Sequence, residues 1–160
     1  MSKVAHIIDI SYEDTSEEKR IDEQVVEGRL YRILDALGVD TPVEFSVSFV
    51  DDDAIHQLNK QYRDIDRPTD ILTFVQEDDK SFPGMPAEEA RVLGDMVISL
   101  SSMRSNAEAY GVSEDEELYR LLIHGVLHLL GENHETNDVG KEPMLQKQER
   151  LLAQLRGTRE

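Results

Sequence analysis

Two features of the residue pattern predict an α+β fold: short apolar runs with period two in the first hundred residues, and nearly continuous helical spacing after them. A third, a long segment apolar on almost every side of the helical wheel, predicts that one helix lies in the middle of the molecule. The expected form is a small mixed sheet of about four strands packed with about five helices.

Val4 to Ile10 reads as a short first strand. Glu17 to Leu37 has helical spacing through Ile21, Val25, Leu30, Ile33, Leu34 and Leu37, and Gly38 ends it. Glu44 to Val50 alternates apolar and polar residues, the mark of a strand with one buried face. Asp51 to Asp53 can cap a short helix through Ile55, Leu58 and Tyr62, and Pro68 and Thr69 lead into a strand at Ile71 to Val75. Residues 76–90 hold two prolines, a glycine and many charges, so they read as a mobile acidic loop. Leu93 to Leu100 is a further strand, and Ser101 or Ser102 is the expected cap of the next helix, which runs to about Gly111. Ser113 with Glu116 forms a capping box for the apolar helix. Met144, Leu145, Leu151, Leu152 and Leu155 mark a last amphipathic helix, with residues 156–160 expected as a frayed tail.

A chain of 160 residues suits one hydrophobic core, so residues 1–160 are expected to form a single domain. The absence of cysteine excludes disulfides and thiolate ligands, and leaves histidine as the main nitrogen donor for a transition metal. No signal peptide or membrane span is expected, which points to a cytoplasmic protein. The net charge is −17, from 34 acidic and 17 basic residues. That composition opposes non-specific nucleic-acid binding, which rests on basic side chains displacing phosphate counterions. Lys60, Arg63 and Arg67 form the one local basic patch that the sequence suggests, diluted by Asp64 and Asp66.

Three of the five histidines fall within eleven residues, His124-Gly-Val-Leu-His128-Leu-Leu-Gly131-Glu-Asn-His134. At about 100° per residue, His128 lies roughly 40° round the helix from His124 and about 6 Å further along, so both rings leave one stripe. Gly131 can adopt positive φ, end the helix and return His134 toward the first two rings. Three imidazoles leave a tetrahedral zinc with an open position, which distinguishes a catalytic from a structural site. A metal site at the end of a buried helix, with His124, His128 and His134 as ligands and one zinc per chain, is the expectation.

The spacing matches the metzincin pattern HExxHxxGxxH, but Gly125 stands where those proteases carry their general-base glutamate. The run instead resembles the HGxLHLxGYDH signature of the YbeY family of bacterial metal-dependent endoribonucleases. Two further stretches agree: Leu58-Asn59-Lys60-Gln61-Tyr62-Arg63 leading into Pro68-Thr69-Asp70-Ile71-Leu72-Thr73-Phe74, and Leu93-Gly94-Asp95-Met96-Val97-Ile98-Ser99. Glu132-Asn133 replaces the usual Tyr-Asp, and Thr73 stands where serine is more usual.

The resemblance implies a zinc-dependent endoribonuclease of single-stranded RNA, acting on rRNA in ribosome assembly and quality control. Its partners would be rRNA and the small ribosomal subunit or its proteins, with neither DNA nor membrane expected. Arg63, which the resemblance marks as important, and His124 are the catalytic candidates. A planar guanidinium can hold two phosphoryl oxygens. The competing reading of Arg63 is a surface ion pair with Asp64 or Asp66.

Other residues read as structural. Asp70 and Asp95 are expected to cap strand ends rather than orient a ligand ring, and Asn59 needs no contact with substrate. Met144 reads as core, and His6 and His56 as ordinary strand and helix residues. Two other functions compete. One is a metallohydrolase of peptides or amides with Glu117 as a substitute base. The other is a non-catalytic ribosome assembly factor with a structural metal, docked through its acidic surface.

Overall fold

The structure, a computed structural model, describes residues 4–13, 21–76 and 90–156. It contains β1 (Ile7–Tyr12), α1 (Glu23–Ala36), β2 (Val43–Val50), α2 (Asp52–Arg63), β3 (Ile71–Val75), β4 (Arg91–Ser99), α3 (Leu100–Tyr110), α4 (Glu114–Leu129) and α5 (Pro143–Arg156). The strands form one mixed sheet in the order β1-β2-β4-β3. β1, β2 and β4 run parallel, and β3 is antiparallel to β4. This is the α+β fold that the residue pattern predicts.

Strand alternation divides the sheet into two unlike faces. Phe45, Val47 and Phe49 of β2 and Met96 and Ile98 of β4 point into the main core with α1, α3, α4 and α5. Ser46 and Ser48 point the other way, where Ser46 bonds Asp95 at 2.6 Å and Ser48 bonds Ser11 at 3.1 Å. The far end of that second face is covered by α2, with Ile55 packed among Val50, Leu72 and Val97. Asp95 therefore sits in mid-strand with its side chain turned away from α4. It caps no strand end.

Several boundaries move for tertiary reasons. β1 starts at Ile7 and reaches Tyr12, because pairing with β2 from Ile7↔Glu44 to Tyr12↔Phe49 carries it past the polar Ser11. Tyr12 stacks on Phe49 with ring centroids 5.1 Å apart, and its hydroxyl donates to the Ile21 carbonyl. The predicted helical start at Glu17 lies outside the described residues, and α1 begins at Glu23, where Asp22 accepts from the Gln24 amide. Ser99, not Ser101 or Ser102, caps α3; its hydroxyl accepts from the Ser102 amide, while Leu100 turns into the core as the first helical residue. Gln76 still pairs with Leu93 through its amide, and residues 77–89 of the expected loop lie outside the described residues. Arg156 is not frayed: it closes α5 and donates to Glu116.

α4 is the hub on which α1, α3, α5, β3 and β4 all pack. Ser113 caps it as predicted, accepting from the Glu116 amide at 3.0 Å, and four acidic residues in the first turn suit its dipole. Gly125 marks where α4 meets the sheet: a Cβ there would lie 2.4 Å from Cε and 2.6 Å from Sδ of the fully buried Met96. The close approach leaves no room for a side chain at the position next to His124. Gly125→Ala should therefore lower stability by about 1 kcal/mol. Overpacking costs about 1–3 kcal/mol and the gain in helix propensity offsets about 1 kcal/mol of it. The flexible thioether of Met96 limits the loss. A thermal midpoint equal to or above that of the parent protein would show that Met96 does not press on this glycine.

Candidate metal centre

His124 and His128 share one stripe of α4 near its C-terminus. Helical bonding ends at Leu130, and Gly131, at φ +102°, turns the chain back. The Gly131 amide donates to the His128 carbonyl at 2.9 Å, and the Glu132 amide to that of Leu127 at 3.0 Å, satisfying two carbonyls at the helix end. The return places His134 against the first two rings. Ring centroids are 4.6 Å apart for His124 and His128, and 5.3 Å apart for each of the other two pairs.

One potential donor nitrogen of each ring falls within 4.8 Å of the other two. Nε2 of His124 lies 3.1 Å from Nε2 of His128. Two nitrogens on one tetrahedral zinc stand about 3.3 Å apart, given Zn–N distances of about 2.0–2.1 Å, so the cluster has the right span for such an ion. The outer nitrogens support the same reading. Nδ1 of His134 lies 2.7 Å from the Thr136 carbonyl oxygen, which can only accept, so that nitrogen carries a proton and Nε2 is the one that a cation can take. Nδ1 of His124 meets Oε1 of Gln148 at 2.6 Å. Burial disfavours protonation of His124, although its bond to Gln148 opposes the shift. Burial, followed by the charges of His124 and His134, lowers the pKa of His128 to about 4. Both shifts favour the neutral ring, whose lone pair is available to a cation.

The histidines open onto a cleft of about 930 Å³ that Arg63, Thr73, Asp70, Glu117 and Tyr110 also line. Arg63 reaches it from the last turn of α2, its Nη2 lying 3.4 Å from the Thr73 carbonyl. The predicted alternative pairing with Asp64 or Asp66 is absent among the described residues, since Asp66 takes His56 at 2.7 Å. Arg120, the other arginine in the lining, is engaged by Glu116, Glu117 and Glu149. Arg63 therefore presents the cleft's uncompensated positive charge among the described residues.

Asp70 stands at the start of β3, where it accepts from Asn106 at 2.9 Å and joins the strand to α3; burial pushes its carboxyl pKa up. Asn59 is buried and donates to the Arg67 carbonyl at 2.9 Å, so it fastens the loop after α2 and does not face the cleft. Met144 is core. His6 accepts from the Val43 amide at the edge of β1.

Apart from Glu132, the supporting contacts lie in residues to which the sequence assigns no role in the site. Glu142 accepts from both the amide and the hydroxyl of Thr136, which fixes the carbonyl that holds His134. Lys147 pairs with Glu132 at 2.7 Å and ties the same turn to α5. Gln148 had one visible signal: it is a polar residue in the buried stripe Met144, Leu145, Leu151, Leu152 and Leu155.

The family described as Endoribonuclease YbeY matches residues 9–156. This chain belongs to the endoribonuclease YbeY family. A relative from Roseiflexus castenholzii, named Endoribonuclease YbeY, is 41% identical over 140 residues, covering 88% of this chain and 87% of its own. One of the same name from Treponema denticola is 49% identical over 111 residues, covering 69% and 70%. The solution structure of the Thermotoga maritima protein TM1509 superposes with a TM-score of 0.58 at 28% identity, covering 94% of this chain and 90% of that one. The histidine trio, the cleft and Arg63 all lie within the span matched to the YbeY family. No helix among the described residues is long and apolar enough to cross a membrane.

Proposed function

We propose that this chain is a zinc-dependent endoribonuclease that cuts single-stranded RNA, with rRNA as its substrate in ribosome assembly and quality control. The reading places it in the cytoplasm and pairs it with the small ribosomal subunit or its proteins. One observation carries it: three imidazoles able to hold a cation share a single cleft with an arginine that no carboxylate neutralises among the described residues.

His124, His128 and His134 would hold the zinc, with the Thr136 carbonyl and Gln148 keeping two of the rings oriented. When bound, the ion supplies Lewis acidity, withdrawing charge from a phosphoryl oxygen or acidifying a water. Arg63 binds the phosphodiester through its planar fork and offsets the negative charge that grows on the phosphoryl oxygens during cleavage. Tyr110, 66% exposed on the rim, offers a ring face on which an unpaired base can stack, a contact that duplex RNA denies. The net charge of −17 opposes non-specific RNA binding and favours docking to basic ribosomal proteins.

Peptide hydrolysis is the weaker reading. Gly125 is pressed against Met96, and Glu117 is almost fully buried with one oxygen held by Arg120 at 2.8 Å, so neither position supplies a free carboxylate beside His124. The test offers the zinc-loaded protein three substrates: an end-labelled single-stranded RNA, the same strand in a duplex, and casein. Internal cuts in the single strand alone are expected. Casein cleavage without RNA cleavage would reverse the choice.

A further inference from the structure

We propose that Gln148 is a positioning residue for the metal centre, its side-chain carbonyl holding His124 in the tautomer that turns a bare Nε2 toward the metal, with Glu149 and Arg120 locking the amide. The proposal rests on the metal-binding reading of the three histidines.

A glutamine amide beside a histidine is ambiguous, because either end can face the ring. Here the second neighbour removes the ambiguity. Nε2 of Gln148 lies 3.0 Å from Oε2 of Glu149, and a carboxylate only accepts, so the NH2 group must face Glu149. Oε1 is then the atom 2.6 Å from Nδ1 of His124, and a carbonyl oxygen there requires a proton on Nδ1. The proton on Nδ1 leaves Nε2 unprotonated, facing Nε2 of His128 at 3.1 Å. The flipped amide would oppose two oxygens at the Glu149 contact. It would also stabilise the His124 tautomer whose Nε2 is blocked by hydrogen.

Glu149 is itself held. Arg120 donates to it through Nε at 2.9 Å and through Nη2 at 3.2 Å, and its other contacts are Glu117 and Glu116. Arg120 lies one helical turn before His124 on α4, and Gln148 and Glu149 are neighbours on α5. The four side chains form a chain of contacts, His124 to Gln148 to Glu149 to Arg120, that leaves α4 and returns to it across the α4–α5 interface. Gln148 is buried in it, at 6% exposure, so water does not substitute for the carbonyl.

The experiment measures zinc affinity by chelator competition, together with the visible absorption of the cobalt-substituted protein, and needs no RNA. Gln148→Leu keeps the volume and removes the acceptor, and should weaken zinc binding by about 10–100-fold, the range for losing such an orienting partner. The double exchange Gln148→Glu with Glu149→Gln preserves charge and returns an acceptor to Nδ1, so it should restore the affinity and the cobalt spectrum. If Gln148→Leu does not fold, Glu149→Ala tests the same claim by freeing the amide, and weaker zinc binding is again expected. Parent-like affinity in Gln148→Leu or Glu149→Ala, or equal loss in Gln148→Leu and the exchange, overturns the role of Gln148. His124→Ala serves as the reference: if it too binds zinc like the parent protein, the metal reading has failed and not merely the role of Gln148.

Discussion

His124→Ala should lose bound zinc and RNA cleavage together, and added zinc should restore chelator-stripped parent protein but not the variant. The argument starts from donor count. Three imidazoles are the donors that the cleft brings together, and removing one of them leaves two. Losing an outer partner of a ligand costs about 10–100-fold in affinity, and losing the ligand itself costs more. On the proposed mechanism cleavage should then fall below detection, because the ion would withdraw charge at the phosphate or acidify the nucleophile. Unfolding provides a second readout. A ligand at 1,000 times its dissociation constant stabilises the folded state by about 4 kcal/mol, so zinc should raise the thermal midpoint of the parent protein and leave that of the variant unchanged. His124 is only partly buried and faces the cleft, so alanine there leaves no closed cavity and the metal-free variant should fold. Undiminished cleavage by a metal-free variant would refute the scheme.

The same residues show what a sequence yields. Helical period and one glycine were enough to bring His124, His128 and His134 together, because that geometry is local: two rings on one stripe and a turn at positive φ. The sheet and helices were legible for a similar reason, since periodicity records which face is buried. The supports of the site were not. Gln148 meets His124 across 24 residues, and Arg120 meets Glu149 across 29, so the pattern within either helix carries only a hint of the pairing. Gly125 was read as a missing carboxylate, whereas its neighbour Met96 on β4 supplies a packing reason for the glycine. Ser99 outcompeted Ser101 and Ser102 as the cap of α3, because the core position of Leu100 fixed where the strand had to turn into a helix.

Arg63→Ala should lower kcat by about 10²–10³, the range observed when one donor to a developing oxyanion is removed, equivalent to about 2.7–4 kcal/mol. Its side chain is exposed and its one described bond, 3.4 Å to the Thr73 carbonyl, is long. Stability should therefore change by less than about 0.5 kcal/mol, as for other surface positions. Zinc content should not change either, because Arg63 holds none of the three rings. Arg63→Lys separates charge from shape: an ammonium keeps the positive charge but cannot present the planar fork, so activity should recover only in part. Arg120 provides the contrast within the same cleft. Its charge is consumed by Glu116, Glu117 and Glu149, so it cannot substitute for Arg63 at the phosphate. Steady-state rates on a single-stranded RNA, measured beside zinc content and thermal midpoint, decide the matter. If Arg63→Ala turns over within twofold of the parent protein, Arg63 is an ordinary surface residue, and the charge that builds on the phosphate must be met by the histidine-held cation alone.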